Sequence, residues 1–372
     1  MEHSLPNAIP GAGPNAALSG LMAGRRADQC LVKQMAARIR DPGYGMRDFF
    51  EDSIAAFPEL ELFHAGGESA SGRDGSMEYQ RTIGAMFAVY WLLRLDIDGK
   101  RGLSFGCSED WKILGPCGGD DDDSKKKRSF FENMDWSLLQ SVTDLAIGGA
   151  PERVEAMLCL TAFHDIMKLR TLLPVVAMAH APFQTFSAGD AINDHDLALA
   201  YVLEHYPQLL PSFAILPEGM RDLVIFTQSK MSFNHGWFVQ AEGTPGAMLS
   251  ALKQVLKGAS GSDLAFYFFH WLTDISGAEG LPLAGAEKFT LRFPRAVLVS
   301  FLWSIPFLLK LAEQTETEVV ETYLVERFLE ALPEQDLPQG ADAVARMRIA
   351  VMAQSGARFA LDGFRDAPHI VQ

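Results

Sequence analysis

Residues 151–172 read PERVEAMLCLTAFHDIMKLRTL, an apolar stretch that opens on a proline and carries a His-Asp pair towards its end. With Gly148 and Gly149 before it and Pro174 after it, the stretch reads as one buried helix. The chain repeats this style on both sides. Further apolar helical stretches, separated by Gly, Pro and Asp breakers, are expected over 134–147, 194–206, 217–230, 247–257, 261–275, 294–313 and 316–331. One more follows over 341–354, and no internal repeat is present. The fold class is therefore mainly α, a multi-helix bundle.

Upstream of this core the signals are mixed. Leu31, Met35, Ala36 and Ile39 suit a short amphipathic helix over 27–39, stopped by DPGYG at 41–45. Residues 46–63 continue in a helical or mixed style, AGGESASGRDGS (65–76) reads as a flexible loop, and Glu78 to Arg94 as a long, largely buried helix. LDIDGKRGLSFG (95–106) alternates around a turn-forming DGK, which predicts a small β-hairpin, the one good strand signal in the chain. GGDDDDSKKKR (118–128) places four acids before four bases and is expected to be a solvated loop marking a boundary. The expected organisation is a disordered tail over 1–24, an N-terminal helical extension with its hairpin over 25–117, the acidic/basic loop over 118–129, the helical core over 130–335, and a C-terminal helix and tail over 336–372.

Composition limits the function classes. The 372-residue chain is 48% hydrophobic and 21% charged, which excludes a disordered protein, because this much apolar surface can offset chain entropy. A net charge of −15 argues against nucleic acid as a partner, since phosphates are held by Lys and Arg, and leaves a local basic pocket for a small anionic substrate. Cys30, Cys107, Cys117 and Cys159 are scattered without a CxxC, and the N-terminus lacks the pattern of a secretory signal, so a cytoplasmic location is expected. SFGCSEDW (104–111) invites a nucleophile reading for Cys107, but no histidine stands near it in sequence. Ala296 to Ala312 is nearly all apolar, yet Ser300, Ser304, Pro306 and Lys310 interrupt it, so it reads as a buried helix kinked at Pro306 and no membrane partner is expected. The 25 phenylalanines leave apolar surface enough for a homodimer.

The chemistry points to histidines beside acids. Of nine histidines, His164 precedes Asp165, His195 lies between Asp194 and Asp196, and His270 stands four residues before Asp274. Imidazole nitrogens and carboxylate oxygens converging from different elements are what a divalent metal needs. His235, in SFNHGWFVQAE, sits where Asn234, Gln240 and Glu242 interrupt aromatic residues around Trp237, as in a lined pocket. The bland alternatives remain open: Asp194 as a helix N-cap, His270 and Asp274 as a mutual i, i+4 pair, Lys168 as a surface lysine. Neither GxGxxG nor a P-loop motif occurs.

MLCLTAFHDIMK (157–168) and FHWLTDISGAE (269–279) resemble the central helix and the final-Asp helix of the HD-domain metal-dependent phosphohydrolases. The resemblance covers about residues 130–280 and implies an all-α HD-like bundle. It also implies a divalent metal, Mn, Fe, Mg, Zn or Co, on His164, Asp165, His195, His235 and Asp274. Asp165 and Lys168 would then serve catalysis on a phosphate ester or phosphoanhydride, with Arg81, Arg170 and Lys230 as further phosphate-binding candidates and Asn234, Trp237 and Gln240 contacting substrate. The chain departs from the family in having no histidine over 131–147, where Asp135 or Asp144 would have to substitute. Two alternatives stand beside hydrolysis: a di-iron HD-type oxygenase, and an inactive helical binding or regulatory protein that holds no metal.

Overall fold

In a computed structural model, which describes residues 16–65, 67–116, 119–230, 233–256 and 258–366, the chain is mainly helical. Among the described residues the extended pairings are isolated bridges, such as Ser69 with Leu169, and no sheet forms. The chain divides into two compact units, each discontinuous in sequence: Met1–Trp136 with Ile147–Lys230 and Phe269–Phe293, and Ser137–Ala146 with Met231–Phe268 and Pro294–Gln372.

The first unit is built on the helix Pro151–Phe163, in which every residue from Val154 to Phe163 is buried. Gln29–Arg38 and Gly75–Leu92 pack on it, and the latter is buried from Thr82 to Leu92. The end of Gly261–Ser276 closes on Gly75–Leu92 by a glycine-to-glycine approach. A Cβ on Gly84 would lie 3.1 Å from the Gly277 Cα, and one on Gly277 only 2.3 Å from the Ala85 nitrogen. Arg81 fixes the same crossing by donating from Nε to the Ala278 carbonyl at 3.0 Å. This close approach places Asp274, one turn earlier, beside the end of the central helix.

Several expectations are corrected here. The expected helix over 151–172 stops at Phe163; His164 is its C-cap, and the chain then tightens into single 3₁₀ turns at Ile166–Lys168 and Arg170–Leu172. The expected hairpin at 95–106 is instead the helix Gly99–Phe105. Its glycines serve close packing: a Cβ on Gly99 would lie 1.9 Å from the Trp91 carbonyl oxygen, and one on Gly102 2.2 Å from the Trp91 Nε1. Asp98 holds the turn from the previous helix by accepting both Nε and Nη2 of the buried Arg94, at 2.8 and 2.9 Å. The acidic/basic run is likewise helical, over Asp122–Asn133. Asp121 caps it by accepting from the Ser124 nitrogen, Asp122 and Asp123 lie at the positive end of the helix dipole, and Lys126 pairs with Asp122 one turn on. The tail ends sooner than expected, since Ala16–Met22 is a helix with Leu18 buried, while residues 1–15 and Cys117 lie outside the described residues.

The second unit gathers His235–Val239, Pro245–Val255, Arg295–Leu309, Glu316–Ala331, Ala343–Ala353 and Ala357–Asp366. Tyr323 joins two of them by donating to the Val239 carbonyl at 2.7 Å. Arg295–Ala312 is, among the described residues, the one helix long and apolar enough to cross a membrane. Only 33% of that window is buried, so the expectation of a buried core helix is not met. Pro306 stands exposed inside it, where it removes one hydrogen bond to the carbonyl four residues back.

Candidate metal centre

His164, Asp165 and Asp274 offer ligand atoms that all lie within 4.8 Å of one another. The helix C-cap turns His164 and Asp165 out of the central helix, and Asp274 arrives from Gly261–Ser276. The His164 Nδ1 donates to the Thr161 carbonyl at 2.8 Å, leaving Nε2 for the carboxylates. Nε2 stands 3.5 Å from Asp165 Oδ1 and 3.3 Å from Asp274 Oδ1. Two donors on one ion, each about 2.0–2.2 Å away and 90–109° apart, are separated by about 2.9–3.5 Å, so these spacings fit. A second ring nitrogen fixed by a backbone carbonyl is also how ligating histidines are oriented.

The charges respond to one another. Burial alone disfavours an imidazolium at His164, but Asp165 and Asp274 overcome it and raise its pKa above the ordinary value. Crowding pushes the Asp274 carboxyl up, yet the hydrogen bond and charge of His164, with Lys168 and His270, hold it well below the carboxylate range. Since 40% of the Asp274 side chain still meets solvent, its cationic neighbours rather than its burial govern it. Lys168 lies 2.6 Å from Asp165 Oδ1 and is 12% exposed, so it is neither a surface lysine nor one turn along a helix from His164.

Behind Lys168 stands Glu78, fully buried, which accepts from Ser69 and Ser71 at 2.7 and 2.6 Å and from Arg81 at 2.9 Å. Its pKa is lowered despite burial, by these hydrogen bonds and by Arg81 and Lys168. The 65–76 segment, expected to be a flexible loop, is thus pinned over Ser69–Ser71, and Ala70 further donates to the Lys168 carbonyl. Arg81 is fully engaged, and Arg170 is exposed beside Glu68.

Asp194 is the N-cap of His195–His205, accepting from the Asp196 and Leu197 nitrogens. His195 is 36% exposed with its Nε2 3.6 Å from Asp196. Asp194, His195 and Asp196 form a second, exposed group of ligand atoms within 4.8 Å. Asp196 accepts from Gln228 at 3.1 Å, and its pKa is raised by crowding and by Asp194, Asp165 and Asp274, against His195. Its side chain is 62% exposed, so water softens the effect.

His235 does not belong to the His164 group. It lies in the second unit, packed against Phe233, Phe268 and Phe301, with Nε2 2.6 Å from the Ser304 Oγ. The Ser304 hydroxyl donates to the Phe301 carbonyl, so His235 must be the donor, and a protonated Nε2 binds no metal. Asn234 caps the short helix by accepting from Trp237 N, while Trp237 and Gln240 are exposed. Neither Asp135 nor Asp144 joins a metal-ligand group, and Asp144 accepts from Gln140. Cys107 is buried, and burial pushes its thiol up to about 11, which removes it as a nucleophile.

Comparison of the chain with protein-family models, with curated proteins and with solved structures gives no match. The site therefore rests on its own geometry. Sequence reading passed over Glu78 and the relation of His270 to His164, whose rings meet edge to face with centroids 5.2 Å apart. His270 had a sequence signal, four residues before Asp274, whereas Glu78 had none.

Proposed function

We propose that the chain is a divalent-metal-dependent hydrolase acting on a phosphate ester or phosphoanhydride of a small molecule, as the HD-domain resemblance implies. The observation that carries this is His164, with Nδ1 tied to a backbone carbonyl and Nε2 within 3.5 Å of two carboxylate oxygens from separate elements. His164, Asp165 and Asp274 would hold the ion. When bound, such an ion supplies positive charge to a phosphoryl oxygen and acidifies a water ligand.

The chain's own groups have complementary tasks. Lys168 pairs with Asp165 at 2.6 Å and its backbone is held by Ala70, and its ammonium is the group we assign to an anionic substrate. Asp196, whose proton affinity is raised first by desolvation and then by Asp194, Asp165 and Asp274, is the carboxylate we assign to proton transfer with the leaving group. The Glu78 network holds the turn that carries Lys168.

One observation favours a second reading. Lys168, 2.6 Å from Asp165, compensates the carboxylates by itself, as in a metal-free binding or regulatory protein. Elemental analysis of chain purified without chelator or affinity metal separates the two. Near-stoichiometric Mn, Fe, Zn or Co, lost in His164→Ala and accompanied by phosphate release from small phosphoesters, supports the hydrolase. Iron with oxygen consumption would move the reading to oxygenase chemistry. No uptake of any of these ions would leave the binding protein.

A further inference from the structure

His270 is buried to 9% exposure, one turn before Asp274 on the same helix, and its Nδ1 has no hydrogen-bond partner among the described residues. The neighbouring buried imidazole, His164, is by contrast held at both ring nitrogens, by the Thr161 carbonyl and by Asp274. A buried polar atom without a partner costs stability that a leucine or phenylalanine in the same place would not, so its presence needs a reason. The reason lies in what surrounds it. The charged groups that act on His270 are His164 and Asp274, both in the cluster already described, and the two imidazoles meet at an interplanar angle of 89°.

The ring spacing is informative. An imidazole on a divalent ion has its centroid about 3.2 Å from the metal, so two imidazoles 90–109° apart on one ion have centroids about 4.5–5.2 Å apart. His164 and His270 stand at 5.2 Å. The nitrogens of His270 fall outside the 4.8 Å group as the ring is now turned, and a rotation about the Cβ–Cγ bond changes which ring atoms face that group without moving the ring away.

We propose that His270 supplies a second imidazole to the ion held by His164, Asp165 and Asp274, making a two-histidine, two-aspartate centre. This rests on the metal reading above and sharpens it. Two neutral imidazoles and two carboxylates balance a divalent charge, and a half-nitrogen donor set suits Mn, Fe, Co or Zn over the all-oxygen preference of Mg and Ca. His195, exposed at a helix N-terminus, is not needed for this set.

The test uses the full chain loaded with Co(II), with X-ray absorption at the cobalt edge counting the imidazoles bound. The expected result is two imidazoles in the wild type and one in His270→Gln, with Co(II) affinity reduced more than about 100-fold, beyond what loss of an outer-shell partner does. One imidazole in the wild type, or an unchanged count in His270→Gln, overturns the role of His270 while leaving the metal reading in place. No Co(II) bound by the wild type overturns both. A His195→Gln chain, altered at a half-exposed residue and expected to keep two imidazoles, preserves the test if His270→Gln does not fold, and a count of one there overturns the role of His270.

Discussion

His164 and His235 are both more than nine-tenths buried, yet their surroundings push them in opposite directions. Around His164 stand Asp165 and Asp274, which stabilise the imidazolium and raise its pKa. Around His235 stand Phe233, Phe268 and Phe301, and burial alone takes its pKa down to about 3. One ring is paired with two carboxylates; the other is a neutral donor to Ser304 and part of a core. Burial by itself therefore says nothing about function. What separates the two is whether a second and third element bring charge to the ring.

Five changes would break or sharpen this contrast. The largest effect is expected from Asp165→Asn in chelated protein, which leaves the Lys168 ammonium nearly buried and without its carboxylate; denaturant unfolding should show a loss of about 3–5 kcal/mol. An effect below about 1 kcal/mol would mean that Lys168 finds Glu78 or solvent instead. Next, Ser304→Ala strands the His235 N–H in an aromatic pocket and should cost about 1–3 kcal/mol, with metal content untouched. A change in metal content would return His235 to the site.

The pH dependence has opposite signs in the two places. The unfolded chain binds a proton at His235 that the folded chain refuses, so stability present above about pH 6.5 falls as pH drops towards 3, by up to about 1.4 kcal/mol per unit. His235→Phe should flatten that acid limb relative to wild type. For metal-free His164 the folded pKa is raised, so its contribution is complete below about 6.5 and is lost as pH rises through the folded value. His164→Asn should remove that alkaline loss. The smallest effect is expected from Asp194→Ala, a lost N-cap worth about 1 kcal/mol in melting experiments. A large drop in metal binding in that variant would make the exposed Asp194–Asp196 group part of the centre.

The helical succession was legible because the long apolar stretches and their breakers are local properties. The stretches read at 194–206, 261–275 and 316–331 are the helices His195–His205, Gly261–Ser276 and Glu316–Ala331. Legibility failed where a residue type serves two purposes. Glycines at 99 and 102 read as a hairpin turn but allow a helix to press on Trp91, and charged residues at 122–128 read as a loop but supply a cap, a favourable dipole and an i, i+4 pair.

From the chain alone came the all-α class and the two segments, 157–168 and 269–279, that carry His164, Asp165 and Asp274. Tertiary structure alone decided that these segments meet, through the approach of Gly84 and Gly277, and that His270 rather than His235 stands against His164. The physical reason is range. Helix formation is governed by neighbours within a few residues, whereas the candidate group needs side chains 110 residues apart, His164 and Asp274, to arrive within 3.3 Å of each other.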